Sequence, residues 1–191
     1  MLARKLGVLL VFLFAIGGAC QKAPYRNEQY GIVLPMPSGT LPCIPPVYRG
    51  NGADHGPQIL LGTQDASFCS KASGKRYVDV FASYNASEDT KTLHALLEWR
   101  CKFEIKGACS PAPANLQFGG RKSEAGRLNR PDGLIEIIVA TQAGKPDPDF
   151  DASVPSINYE LDLVTDTQHL EEDLTVFRTL LKTIRIAPPI H

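Results

Sequence analysis

The sequence predicts an α+β fold: a mostly antiparallel sheet of about six strands with two main helices packed on it. Three observations lead there. Several stretches alternate apolar and polar residues at period two, two others repeat apolar residues at helical spacing, and consecutive strands are joined by turns too short for parallel crossovers.

The chain opens on an export signal over residues 1–19. Arg4 and Lys5 precede an unbroken apolar run from Leu6 to Ile16, and the small residues Gly17, Gly18 and Ala19 follow. The run is about half the ~20 apolar residues that a membrane-spanning helix requires, and Gln21 and Lys22 close it off. A permanent transmembrane anchor is therefore not expected. Cys20, directly after Gly-Gly-Ala, resembles the lipobox cysteine of bacterial lipoproteins, which is acylated and becomes the new N-terminus. Gly17 stands where that pattern has an aliphatic residue, so ordinary cleavage after Ala19 or Gly17 is the competing reading. Residues 20–28 read as a polar tether and residues 29–191 as a single domain.

Within the domain, Tyr30–Pro35 reads as a first strand, ended by proline and followed by a loop containing Pro37, Gly39, Pro42, Pro45 and Pro46. A second strand is expected at Gln58–Leu61. A stronger one covers Arg76–Tyr84, where Val78, Val80 and Ala82 alternate with Tyr77, Asp79, Phe81 and Ser83. Asn85-Ala86-Ser87 matches a glycosylation sequon but reads as the turn and N-cap of a helix over 88–101. There Glu88 and Asp89 suit the positive end of the helix dipole, and Leu93, Leu96, Leu97 and Cys101 form one stripe. After a proline- and glycine-containing stretch come a strand at Asn115–Phe118 and a polar turn at Gly119-Gly120-Arg121-Lys122. Gly133–Thr141 is the most apolar strand of the domain and belongs inside the sheet. Pro155–Val164 alternates Ile157, Tyr159, Leu161 and Leu163 with Asn158, Glu160 and Asp162, which predicts a half-exposed strand. The last helix carries Leu170, Leu174, Phe177, Leu181 and Ile184 on one face, with acids in its first turn and Pro188-Pro189 beyond its end.

In this order the chain is similar to the PsbP-like α/β/α fold of exported bacterial lipoproteins. The likeness lies in the Tyr30–Pro35 strand with its Pro/Gly-rich exit and in the final strand running into the helix that ends Phe177-Arg178-Thr179-Leu180-Leu181. It is architectural, and the four cysteines of the domain are not part of that pattern.

Five cysteines leave one unpaired in an oxidising compartment. Assigning Cys20 to lipid leaves Cys43, Cys69, Cys101 and Cys109. Four cysteines allow three pairings; Cys43 with Cys69 and Cys101 with Cys109 is favoured because each closes a loop within one stretch of chain. No C-x-x-C spacing supports a metal site.

Without Arg4 and Lys5 the chain has 18 basic against 20 acidic residues, a balance that argues against nucleic acid as a partner. No G-x-S-x-G, S-x-x-K or H-E-x-x-H pattern and no nucleotide loop occurs. The histidines His55, His94, His169 and His191 are scattered and read as solvated or capping groups. Asp147, Asp149 and Asp151 match the first half of a calcium loop, but Ala152 and Asn158 stand where that loop needs glycine and glutamate. A solvated acidic loop is the expected state, and neither metal nor cofactor is expected.

Charge is unevenly spread. Residues 147–173 hold nine acids and no lysine or arginine, whereas 100–130 hold Arg100, Lys102, Lys106, Arg121, Lys122, Arg127 and Arg130. Such blocks steer partners, meet each other inside the fold or lie on solvated faces. The sequence thus leads to a non-enzymatic lipoprotein of the Gram-negative periplasm, held to the membrane by an N-terminal lipid. It is expected to act by binding a protein, with Asp147, Asp149, Asp151, Glu160 and Asp162 as the candidate contact for a basic partner. An immunity protein against a secreted antibacterial effector is one form of that function. An envelope assembly factor, and an enzyme whose site leaves no linear motif, are the competing classes.

Overall fold

Two period-two segments form the centre of the molecule. In the computed structural model, which describes residues 23–43, 55–62, 69, 76–85, 92–104, 109–143 and 156–187, they pair antiparallel along their full length. Residues 1–22, with the expected signal and Cys20, and 144–155, with Asp147, Asp149 and Asp151, lie outside the described residues.

In chain order the elements are β1 (Tyr25–Asn27), β2 (Ile32–Leu34), β3 (Leu41–Cys43), β4 (Gln58–Leu60), β5 (Tyr77–Tyr84), α1 (Leu93–Trp99), β6 (Ser110–Pro111), β7 (Glu124–Asn129), β8 (Ile135–Ala143), β9 (Ile157–Thr165), α2 (Leu170–Thr183) and β10 (Arg185–Ile186). A π-helical turn, Arg100–Glu104, continues α1. Seven strands form one sheet in the order β3-β4-β5-β9-β8-β7-β6, and a smaller sheet has the order β1-β2-β10. Every strand pair is antiparallel. The fold is α+β, with two helices on a mostly antiparallel sheet.

Register sorts the side chains of the large sheet into two faces. Val80, Leu161 and Val139 stand in one cross-strand row; Asp79, Asp162 and Ile138 stand in another, on the opposite face. The apolar face receives α2, whose Leu174, Phe177, Leu180 and Leu181 are buried against it. Deleting a buried aromatic such as Phe177 costs about 3–5 kcal/mol. A polar lock fixes the start of α2: Asp173, 1% exposed, accepts hydrogen bonds from Arg76 Nε (2.8 Å), Arg76 Nη2 (2.6 Å) and Thr165 Oγ1. The small sheet covers the core with Ile32 and Leu34, and the Tyr159 hydroxyl donates to the Tyr30 carbonyl at 2.8 Å. Next to β4 the chain must pass close to β5: a Cβ on Gly56, at φ +139°, would fall 2.0 Å from the Val80 carbonyl oxygen.

Several expectations change. Asn115–Phe118 is not a strand. Asn115 has φ 64°, a left-handed conformation that breaks pairing, while Leu116 and Phe118 are buried from a loop held by Gly119 N–H on the Leu181 carbonyl. The strand in this region is β7, which lacks an apolar period. The first helix is shorter than expected and is capped by Thr92, whose Oγ1 accepts from Ala95 N–H at 3.1 Å; Ser87, Glu88 and Asp89 lie outside the described residues. Tyr25–Asn27, within the expected tether, is an edge strand. β9 is buried along all nine residues rather than half-exposed. The reason is that α1 lies over β7 and β8 on the polar face, its π-helical turn lowers Arg100 onto β9, and α2 covers the apolar face.

Candidate functional site

The polar face under α1 gathers most of the charge-bearing side chains that the topology brings together. Alternation aims Glu160 and Asp162 of β9, Asp79 of β5 and Glu136 of β8 the same way. The π-helical turn that ends α1 brings Arg100 down onto them. Arg100 Nη2 lies 2.5 Å from Asp162 Oδ2 and 3.7 Å from Glu136 Oε1, and Nε lies 3.0 Å from Glu160 Oε2. Arg130 approaches from the β7–β8 turn, with Nη1 3.3 Å from Glu136 Oε2 and Nη2 3.1 Å from Asp132 Oδ2. At the β4 side, Gln58 Nε2 donates to Asp79 Oδ1 at 3.0 Å.

Glu160 and Asp162 were expected to face water and meet a partner. Each is only 4% exposed, and both are paired with Arg100, so they belong to the interior. The acidic and basic blocks do meet, through these residues.

Four carboxyls share two guanidiniums here, so protons must balance the site. Burial, reinforced by Asp162, pushes Glu160 up to about 8, with Arg100 opposing. Burial also raises Asp79 to about 6 against the Gln58 hydrogen bond. Burial raises Glu136 and Asp162 too, and for Asp162 the contact with Arg100 opposes the rise. Glu160 and Asp162 therefore both hold a proton more readily than a carboxyl in water, Asp162 against its contact with the Arg100 guanidinium. The assembly is an ion cluster that ties the end of α1 to β8 and β9.

Covalent bonds frame it. The structure joins Cys101, next to Arg100, to Cys109 (Cα–Cα 5.5 Å), and Cys43 on β3 to Cys69 (5.3 Å). Gly126 on β7 makes room for the first: a Cβ there would lie 2.7 Å from Cys109 Sγ and 3.2 Å from Leu97 Cδ1. A small apolar group, Leu97, Cys101, Leu128 and Ile138, fills the rest of the space under α1.

The helix so fixed presents His94, Glu98 and Trp99 outward. His94 lies between Glu98 (3.4 Å) and Glu124 (3.3 Å), both reachable from its exposed ring. Trp99, 37% exposed, is the one exposed large hydrophobic side chain among the described residues and the single tryptophan of the chain. The other described histidines are structural. His55 stacks with Tyr30 and Phe81 and donates from Nδ1 to the Ala82 carbonyl at 2.7 Å; His169 bonds Asp166 at 2.8 Å beside the start of α2. Among the described residues no group of three or more His, Cys, Asp or Glu is placed to hold a metal ion.

At the far end of α2 the charge is positive, with Lys182 exposed and Arg178 half-buried. Arg178 and Lys182 wall a groove of about 450 Å³ with Asn115, Gln117, Gly119 and Gly120. The turn read from sequence as Gly119-Gly120-Arg121-Lys122 borders it, with positive φ at both glycines. The sequence marked only the turn, as a candidate anion seat against the favoured reading of an exposed turn, because the other wall, on α2, lies some sixty residues away.

Comparison with known proteins gives an architectural likeness. No family model matches the chain, and no curated protein matches it. Among solved structures, cyanobacterial PsbP (CyanoP) from Synechocystis sp. PCC 6803 is similar over 92% of this chain and 99% of its own, at 11% identity and a TM-score of 0.42. The likeness is a weak, PsbP-like resemblance of architecture.

Proposed function

We propose that the chain is an exported lipoprotein of the Gram-negative envelope, anchored through Cys20, that acts by binding a protein partner rather than by catalysis. The outer face of α1, centred on Trp99, is its contact surface. The observation that carries this reading is the way the helix is held. A disulfide, Arg100 paired with three carboxyls and the Gly126 approach all fix a seven-residue helix whose outer face exposes Trp99. Rigid aromatic side chains at little conformational cost are the usual anchors of protein interfaces. Protection against a secreted antibacterial effector is one such function, and an effector gene beside this one would select it.

The test is capture from envelope extract by the mature chain and by its Trp99→Ala variant. A partner retained by the first and lost by the second supports the reading, since an interface anchor is worth ~2 kcal/mol or more, roughly thirtyfold in affinity. Equal retention by both overturns it. Anchoring is tested separately: a fatty-acid analogue should label the wild type and not Cys20→Ala.

A further inference from the structure

The small sheet β1-β2-β10 has an outer face that the core does not use. Arg26 and Arg185 both stand opposite Val33, so all three side chains point the same way, and both arginines are exposed. Arg185 follows α2 directly and bonds back to the Lys182 carbonyl, while Arg121 reaches the Ile186 carbonyl at 3.4 Å. Arg178 and Lys182 continue the row along α2 to the groove floored by Gly120, where an added Cβ would meet nothing within 4 Å. None of these five cations has a carboxylate within ion-pair distance among the described residues. Glu28 is the one acid in the segments of the small sheet and its β1–β2 turn.

The same sheet is where the chain enters the fold. Tyr25 is five residues from Cys20, a reach of at most about 18 Å when fully extended. A lipid on Cys20 would therefore hold the small sheet and its cations on the bilayer side of the domain.

We propose that Arg26, Arg121, Arg178, Lys182 and Arg185 form a membrane-facing surface that binds the phosphate groups of anionic lipids. It orients the domain, turning the opposite side of the molecule outward. Each guanidinium or ammonium supplies donors and charge, and the open groove admits a headgroup beside Arg178 and Lys182.

The experiment uses the mature chain with Cys20→Ala, exported through a non-lipoprotein signal, so that no acyl chain contributes. Co-sedimentation is measured with vesicles of phosphatidylethanolamine and phosphatidylglycerol and with neutral phosphatidylcholine vesicles, at low and high salt. Binding to the anionic vesicles alone, weakened by salt, is expected, with partitioning falling about fivefold for each cation changed to glutamine. The variant Arg178→Gln/Lys182→Gln, with one exposed and one half-buried side chain changed, reads the effect if the five-site variant does not fold. Equal partitioning into neutral vesicles, no binding, or binding unchanged in either folded variant overturns the proposal. Retention of an acidic protein by this face without vesicle binding also overturns it, in favour of a protein partner there.

Discussion

Replacing Asp79 by asparagine tests the ion cluster through its protons. Asp79 stands opposite Gln58 on one side and Asp162 on the other, and burial lifts its pKa from 3.8 to about 6. A carboxyl that holds its proton more tightly folded than unfolded stabilises the fold fully below the unfolded value and loses that contribution as pH rises through the folded one. For Asp79 the window is therefore pH 4 to 6, and the loss across it is about 3 kcal/mol. Glu160 has the same sign, and its loss continues to about pH 8. Asparagine keeps the acceptor for Gln58 and carries no proton to lose. Urea unfolding at a series of pH values should show wild-type stability falling from pH 4 to pH 8. The Asp79→Asn chain should match it near pH 4 and exceed it by about 3 kcal/mol at pH 7 to 8. Parallel curves, or wild-type stability rising across pH 4 to 6, would refute the assignment of a buried, protonated carboxyl.

Other perturbations have separate readouts. Arg100→Ala leaves Glu160 and Asp162 buried without their counter-ion and should destabilise the domain by about 3–5 kcal/mol in urea unfolding, most at high pH. Mass spectrometry should find no free thiol in the exported domain, and reduction should lower stability by about 2–4 kcal/mol for each bridge. Gly126→Ala drives a methyl group against Cys109 and Leu97 and should cost about 1–3 kcal/mol in the same assay.

Strong periodicity made the frame of the fold legible. Val78, Val80 and Ala82 and the Leu174, Phe177 and Leu181 stripe each indicate one element and one buried face, the Ile135–Val139 run indicates a strand buried on both faces, and the structure places them there. Short strands were not legible, because β3, β6 and β10 owe their pairing to neighbours rather than to their own residues, and β7 has glycine and arginine where a period would show. Alternation at Leu116 and Phe118 suggested a strand although Asn115 turns the backbone left-handed. The larger misreading concerned Glu160 and Asp162. Alternation does separate them from Leu161 and Leu163, yet it cannot tell a solvated face from one covered by a second helix. The clue lay in Arg100, a cation at the end of the Leu93, Leu96 and Leu97 stripe, at the place where α1 meets the sheet. The cationic face was illegible for another reason: it combines β1 with β10 and the 115–121 loop with α2, across most of the chain.

Photo-crosslinking in cells tests the binding account most directly. A photoreactive residue in place of Glu98, exposed beside Trp99, samples the α1 face; one in place of Glu171, exposed at the start of α2, samples a different surface. A discrete protein adduct is expected from position 98, absent when Trp99 is alanine, and none from position 171. An adduct at 171 alone, or one at 98 that persists without Trp99, would contradict it.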